Sequence, residues 1–292
     1  MRDTLCLMMM QFVSEEPGNR FTEDGSPYFA EPLIGFAAAD DPLFAQYQEV
    51  IGPFHMTPTE LVQQEAPPWR PATVICWALP ISEATRRSNR TETTYPSRPW
   101  AQTRQHGEAF NATLRRRVVQ FLVDAGYRAL APQLHPAWRE YRDSPVGIAS
   151  SWSERHAAYA AGLGTFSLND ALITPAGIAH RLGSVVTDAR FAPTPRTSAD
   201  HRSNCLWYRE GSCGACIGRC PVGALSKEGH DKDLCREHVY GTVPEAVGEK
   251  FQVTSTGCGL CQTKVPCEGR IPAGKLPPTT TEGTGSARCQ SL

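Results

Sequence analysis

Cys213-Gly-Ala-Cys216-Ile-Gly-Arg-Cys220-Pro221-Val-Gly-Ala224 decides how the C-terminal third of this 292-residue chain is organised. Its spacing is Cys-x2-Cys-x3-Cys-Pro. Cys205 precedes it, and Cys235, Cys258, Cys261 and Cys267 follow, the last three spaced Cys-x2-Cys-x5-Cys. A chain of this length buries enough core to do without covalent staples. Eleven cysteines therefore need a chemical explanation. In a reducing compartment, clustered cysteines bind metal.

A two-cluster bacterial ferredoxin carries C-x2-C-x2-C-x3-C-P, and its fourth cysteine serves the other cluster. Cys213 to Pro221 matches the last three cysteines of that run. Its first cysteine would fall at Glu210, and Cys205 is the natural replacement. The x2 step lets two thiolates reach one cluster, while the x3 step, turned by Pro221, aims Cys220 away. Two [4Fe–4S] clusters are expected. Cys205, Cys213, Cys216 and Cys267 are assigned to one, and Cys220, Cys235, Cys258 and Cys261 to the other. Four-thiolate zinc sites are the rival. The x3-Cys-Pro step and the Val222-Gly223-Ala224 exit speak against zinc. Cys6, Cys76 and Cys289 stand outside both sets. His201, His230 and His238 read as loop residues, since eight thiolates already complete two clusters.

Upstream, Ala72 to Leu79 is a largely apolar run that ends at Pro80. It reads as a strand covered on both faces, typical of a parallel sheet. Phe110, Leu114, Val118, Phe121, Leu122 and Ala125 recur at helical spacing, and Gly126 stands where a C-terminal cap belongs. Tyr127 to Pro132 reads as a short strand. Asp40-Asp41-Pro42 opens a helix, Glu154 to Ala161 forms another, and Ala171 to Thr174 and Leu182 to Thr187 are strands. The expected architecture is an α/β N-terminal domain over residues 1–195 and a small ferredoxin-like α+β iron–sulfur module over 196–276. A disordered tail follows over 277–292.

The chain has a net charge of −1, unevenly spread. Residues 1–45 hold two arginines against eight acids, and residues 86–142 hold eleven arginines against four acids. Coding bias explains this, since lysine first appears at Lys227; a phosphate-binding face is the functional alternative. No apolar run reaches the length of a membrane span and no secretory signal is visible, so a cytoplasmic protein is expected.

Two groups of residues together carry a resemblance. One is Glu154-Arg155, Ala161-Gly162-Leu163-Gly164, Leu172-Ile173-Thr174-Pro175 and Gly183-Ser184-Val185-Val186-Thr187-Asp188. The other is the eight-cysteine module. In this order, over about residues 70–270, the chain resembles the epoxyqueuosine reductases, which share a core with reductive dehalogenases. The resemblance implies cobalamin bound beside one cluster, and electrons passing through both clusters to it. It implies a tRNA or small-molecule substrate, and a reduced ferredoxin or flavodoxin-type donor. Gly162, Gly164, Asn169, Thr187 and Asp188 are the candidate cofactor-binding residues, with helix capping and turn formation as their plain structural roles. The family's proton-donating Asp would fall near Ile148, where no acid stands; Asp143 is the nearest one and is out of register. An iron–sulfur reductase is thus expected. A non-catalytic electron carrier or activator that docks on a partner protein is the alternative.

Overall fold

The computed structural model describes residues 1–274; Cys289 and the expected tail lie outside them. Helix α1 (Arg2–Glu15) buries Leu5, Met9 and Val13, one every four residues. Strand β1 (Leu33–Ala38) leads to α2 (Pro42–Ile51). As the Asp-Asp-Pro signal predicts, the Asp41 carboxylate caps α2 by accepting the Leu43 N–H at 3.0 Å. Helix α3 (Pro58–Val62) starts in a capping box formed by Thr57 and Glu60. Strand β2 (Thr73–Pro80) follows, then α4 (Glu83–Arg90) and α5 (Arg98–Asp124).

Helix α5 begins well before the apolar repeat at Phe110. The Ser97 hydroxyl accepts the Trp100 N–H at 3.3 Å, and Pro99 occupies the first turn. Short strands β3 (Ala129–Leu130), β4 (Glu140–Tyr141) and β5 (Ala149–Ser150) come next. Then follow α6 (Glu154–Ala160), the paired strands β6 (Thr165–Phe166) and β7 (Leu172–Ile173), and the long β8 (His180–Thr187).

The main sheet has the order β1-β2-β8-β3, and every pair in it is antiparallel. This corrects the parallel sheet expected from the β2 run. The run is continuously apolar because both faces of β2 are covered, whatever the strand direction. Ile75, Trp77 and Leu79 pack with residues of α1 and α5 on one side. Val74, Cys76 and Ala78 pack with α2, α3 and α6 on the other. The expected strand at Ala171 to Thr174 is the two-residue β7, which pairs with β6 outside the main sheet.

Trp77 locks α5 onto this sheet. Its ring covers Gly183 of β8, where a Cβ would lie 2.4 Å from the indole. Its Nε1–H donates to Asn111 Oδ1 at 2.8 Å, and Asn111 Nδ2 donates to the Leu182 carbonyl at 2.9 Å. The buried amide is thus satisfied from both sides.

Residues 196–274 are short helical pieces joined by turns: α7 (Leu206–Glu210), α8 (Ala215–Arg219), α9 (Lys232–Glu237), and π-helical turns at His238–Thr242 and Pro244–Gly248. Among the described residues this part holds no ladder strand. It has one isolated bridge, Leu225 with His230, in place of the expected α+β pattern. No helix among the described residues is long and apolar enough to cross a membrane.

Strand β1 approaches α6 so closely that a Cβ on Gly35 would stand 2.3 Å from the Ala161 carbonyl oxygen. Gly35→Ala should therefore destabilise the protein by about 1–3 kcal/mol, the usual cost of overpacking a core. A lowered urea midpoint with an unchanged slope would show it.

Candidate functional site

The cysteines fall into two sets of four. Cys205, Cys213, Cys216 and Cys267 line one small cavity, walled by Leu168, Ile173, Ile178, Trp207 and Val265. Burial, and then Cys205 and Cys213, push the Cys216 thiol up to about 11. Burial and the same neighbours push Cys267 up to about 12. Cys220, Cys235, Cys258 and Cys261 line a second and much larger cavity of about 600 Å³. Burial, then Cys235 and Cys220, raise Cys258 to about 11, and Cys261 is raised for the same reasons. Cys216 also acts on Cys261, so the two sets are neighbours.

All eight are free thiols, as is Cys76, buried in β2; Cys6 of α1 is not among them. Among the described residues no three His, Cys, Asp or Glu side chains approach closely enough to share a single ion. A cluster makes a different demand. It spreads its thiolates around a cube of iron and sulfide and satisfies their charge with several irons. Four largely shielded cysteines facing one gap, whose thiolates would repel one another without a cation between them, suit that demand. The Ala224 N–H also donates to Cys220 Sγ at 3.2 Å, the kind of bond that tunes a cluster thiolate.

The loops that carry these cysteines are tied to the sheet domain. Arg219 of α8 donates to the carbonyls of Leu260 and Thr263 in the second cysteine loop, at 3.2 and 3.1 Å. It also donates to Glu92 and Asn89 at the end of α4, at 2.8 and 3.2 Å. Glu268, one residue past Cys267, receives Arg90 at 2.7 Å. Trp100 fills the space beside Gly259, where a Cβ would overlap its ring at 1.9 Å. Gly259 takes a left-handed φ of 66°, so the turn between Cys258 and Cys261 favours glycine twice over.

Opposite the second cysteine set, the large cavity is lined by charge. Arg115, only 2 % exposed, meets Glu108 at 2.9 Å, Glu154 at 3.3 Å and the Leu182 carbonyl at 3.0 Å. Arg181 also grips Glu108. Burial opposes a charge on Glu108, but Arg181 and Arg115 outweigh it and hold the carboxyl down to about 2. Burial dominates at Glu154 instead and raises it. At another wall, Asp170 adopts φ 61° and pairs with His230 at 3.0 Å. A non-glycine residue in that conformation marks local strain. Burial lowers the tendency of His230 to protonate, yet Asp170 and Cys235 together bring it up to about 9.

The candidate cofactor-binding residues are scattered. Asn169 lines the large cavity, and its Nδ2 donates to the Cys261 carbonyl at 3.0 Å. Gly162 ends α6 with φ 73° against the Pro195 carbonyl, and Gly164 packs against the Ile173 carbonyl. Thr187 Oγ1 donates to the Arg128 carbonyl at 2.8 Å, and Asp188 accepts the Arg128 N–H at 2.9 Å. Those four are not among the cavity's lining residues. Ile148, at the position of the family's Asp, is one of them.

Sequence reasoning missed Arg104, Glu108, Arg181 and Tyr240, which also line the cavity. The excess of arginine over acid in residues 86–142 hinted at Arg104 alone, and no local signal marked the other three. Tyr240 reaches the cavity from a π-helical turn, an irregularity often found at functional sites.

No family model matches the chain. A segment of 119 residues is 33% identical to epoxyqueuosine reductase of Bacillus anthracis, covering 39% of this chain and 29% of that enzyme. A solved epoxyqueuosine reductase, in complex with an epoxyqueuosine-modified tyrosine tRNA stem loop, superimposes with a TM-score of 0.46 at 20% identity, over 80% of this chain and 61% of that one. A catabolic reductive dehalogenase superimposes with a TM-score of 0.49 at 15% identity, over 82% of this chain and 30% of that one. The chain thus spans less than two thirds of these relatives, and superpositions this loose carry no activity across. The sequence match, over the segment it covers, makes this chain a divergent relative of epoxyqueuosine reductase.

Proposed function

We propose that this protein is a cytoplasmic iron–sulfur reductase. Cys205, Cys213, Cys216 and Cys267 would hold one [4Fe–4S] cluster, which would take electrons from a reduced ferredoxin or flavodoxin-type donor. Cys220, Cys235, Cys258 and Cys261 would hold a second, which would supply electrons to the large cavity that they line. One observation carries this: the second cysteine set lines the same cavity as the buried network of Arg115, Glu108 and Glu154. An electron carrier has no use for such a cavity. A carrier or activator remains the second reading, because Ile148 replaces the family's proton-donating Asp.

Cobalamin suits the setting, an open cavity of polar and charged groups beside the second cysteine set, although a molecule of its bulk would fill the roughly 600 Å³ and extend out of the cavity. Asn169, Ser150 and Gln262 are the lining residues that would hold it. When bound, it would supply a low-potential metal for reducing an epoxide or a related bond. The substrate, a modified tRNA base or a small molecule, would enter the same cavity.

Reduction consumes protons as well as electrons. Four acids line the cavity: Glu140 is paired with Arg236, Glu108 and Asp170 are held low, and Glu154 is raised by burial. Glu154 therefore keeps a proton to higher pH than Glu108 or Asp170 and stands in for the absent Asp as proton donor.

Anaerobically purified, cluster-loaded protein should contain about eight iron atoms per chain. Cys258→Ser should lower that toward about four, and Cys76→Ala should leave it unchanged; stoichiometric zinc in place of iron would sink the cluster assignment. Adding a corrinoid to the loaded protein should shift its visible spectrum, whereas spectra that simply add would remove cobalamin from the proposal. Once a substrate is in hand, Glu154→Gln should slow its reduction by about 10²–10⁴-fold, the range for a lost general acid. Dithionite should still reduce the clusters of that variant at the normal rate. Undiminished turnover would exclude Glu154 as the donor.

A further inference from the structure

We propose that the corner of the large cavity between Arg104 and Arg181 is a binding site for an oxyanion, a carboxylate or phosphate carried by the small molecule that enters it. Arg104 of α5, Arg181 of β8 and Tyr240 of the π-helical turn all line this cavity. The charge balance there is incomplete. Glu108 is shared between Arg115 and Arg181. Glu154 reaches only Arg115. Counting both carboxylates as ionised still leaves three guanidinium groups against two negative charges.

The surplus falls on Arg104, which forms no ion pair among the described residues. Its stem lies over Gly257, where a Cβ would be 3.1 Å from Arg104 Cγ, and its head contacts the Tyr240 side chain. Tyr240 is 59% exposed, so this corner lies toward the open side of the cavity. The leading influence on Arg104 is repulsion from Arg181, followed by burial; both lower its pKa.

The carboxylate that acts on both Arg104 and Arg181 is Glu108, which is already paired with Arg181 and Arg115, so the two guanidinium groups lining this space are poorly placed without a ligand. An oxyanion between them would relieve the repulsion and accept their N–H groups in pairs, the geometry for which guanidinium is suited. Elsewhere in the cavity the cations already have partners: Arg236 has Glu140 at 3.0 Å, Lys232 has the Val146 carbonyl at 2.5 Å, and Arg155 has the Asp170 carbonyl at 3.1 Å. The Arg104 corner is therefore where an incoming negative group gains most.

This deepens the functional reading only in taking the cavity as the ligand site. The test needs no turnover, so it fails or succeeds apart from the reductase proposal. Cluster-loaded protein is titrated calorimetrically, without oxygen and at low ionic strength, with inorganic phosphate in one series and benzoate in another. At least one should bind at a single site, and the stronger of the two gives the class of anion. Arg104→Gln should weaken that binding about tenfold or more, as expected for loss of charged hydrogen bonds. Arg104→Lys should weaken it too, because the charge stays and the fork is lost. Arg87→Gln, at a site 73% exposed on α4, should leave it unchanged. Iron content and circular dichroism check that each variant is folded. If neither anion binds the parent protein at millimolar concentration, or if both Arg104 variants bind as tightly as the parent, the site does not exist.

Discussion

Arg115 is a guanidinium taken almost wholly out of water, and its needs bring the parts of the molecule together. Stripping such a group of solvent costs several kcal/mol unless partners surround it. Those partners come from three places: Glu108 one side-chain layer away on α5, Glu154 in the first turn of α6, and the Leu182 carbonyl on β8. Helix α5 thus cannot shift against the sheet without leaving a buried charge unsatisfied. The same atoms form the wall of the large cavity, so the constraint that fixes the packing also fixes the chemistry of the site.

The cysteine loops depend on that scaffold rather than on a core of their own. Short helical turns between Leu206 and Gly248 bury little apolar surface, and π-helical turns are uncommon and poorly bonded. Their order comes from polar ties to the sheet domain. Arg219 spans the gap with bonds to both parts, Glu268 is clasped by Arg86 and Arg90, and Asn169 fixes the backbone at Cys261. A metal cluster would add covalent ties at four points in each set. The arrangement puts electrons and protons in one place, since Cys258 and Cys261 open onto the cavity that Glu154 faces.

Much of the fold was legible. The β2 run, the α5 repeat and the Asp-Asp-Pro start of α2 each follow from local chemistry, and each element is present. Strand direction was not legible. A run buried on both faces has the same composition in parallel and antiparallel sheets, so Thr73–Pro80 could not reveal that β1 and β8 flank it in the opposite sense. Strand β1 escaped notice because Leu33–Ala38 directly follows Pro32 and contains a glycine, kept for the close approach to Ala161. At the site, spacing and the ferredoxin pattern suggested which cysteines belong together, and the same two groups of four line the two cavities.

The charged wall could not be read that way. Arg115, Arg116 and Arg117 are consecutive and chemically identical, yet Arg115 alone is buried, and which one faces inward depends on the rotation of α5 against the sheet. Arg104 and Arg181 lie far apart along the chain, and only the packing of α5 on β8 brings them to one cavity. By itself, then, the sequence determined the eight-cysteine pattern and the apolar strands and helices that precede it. The tertiary structure decided which set faces an open cavity and which charges line it, because a charge acquires its role from the partners and solvent that folding leaves around it.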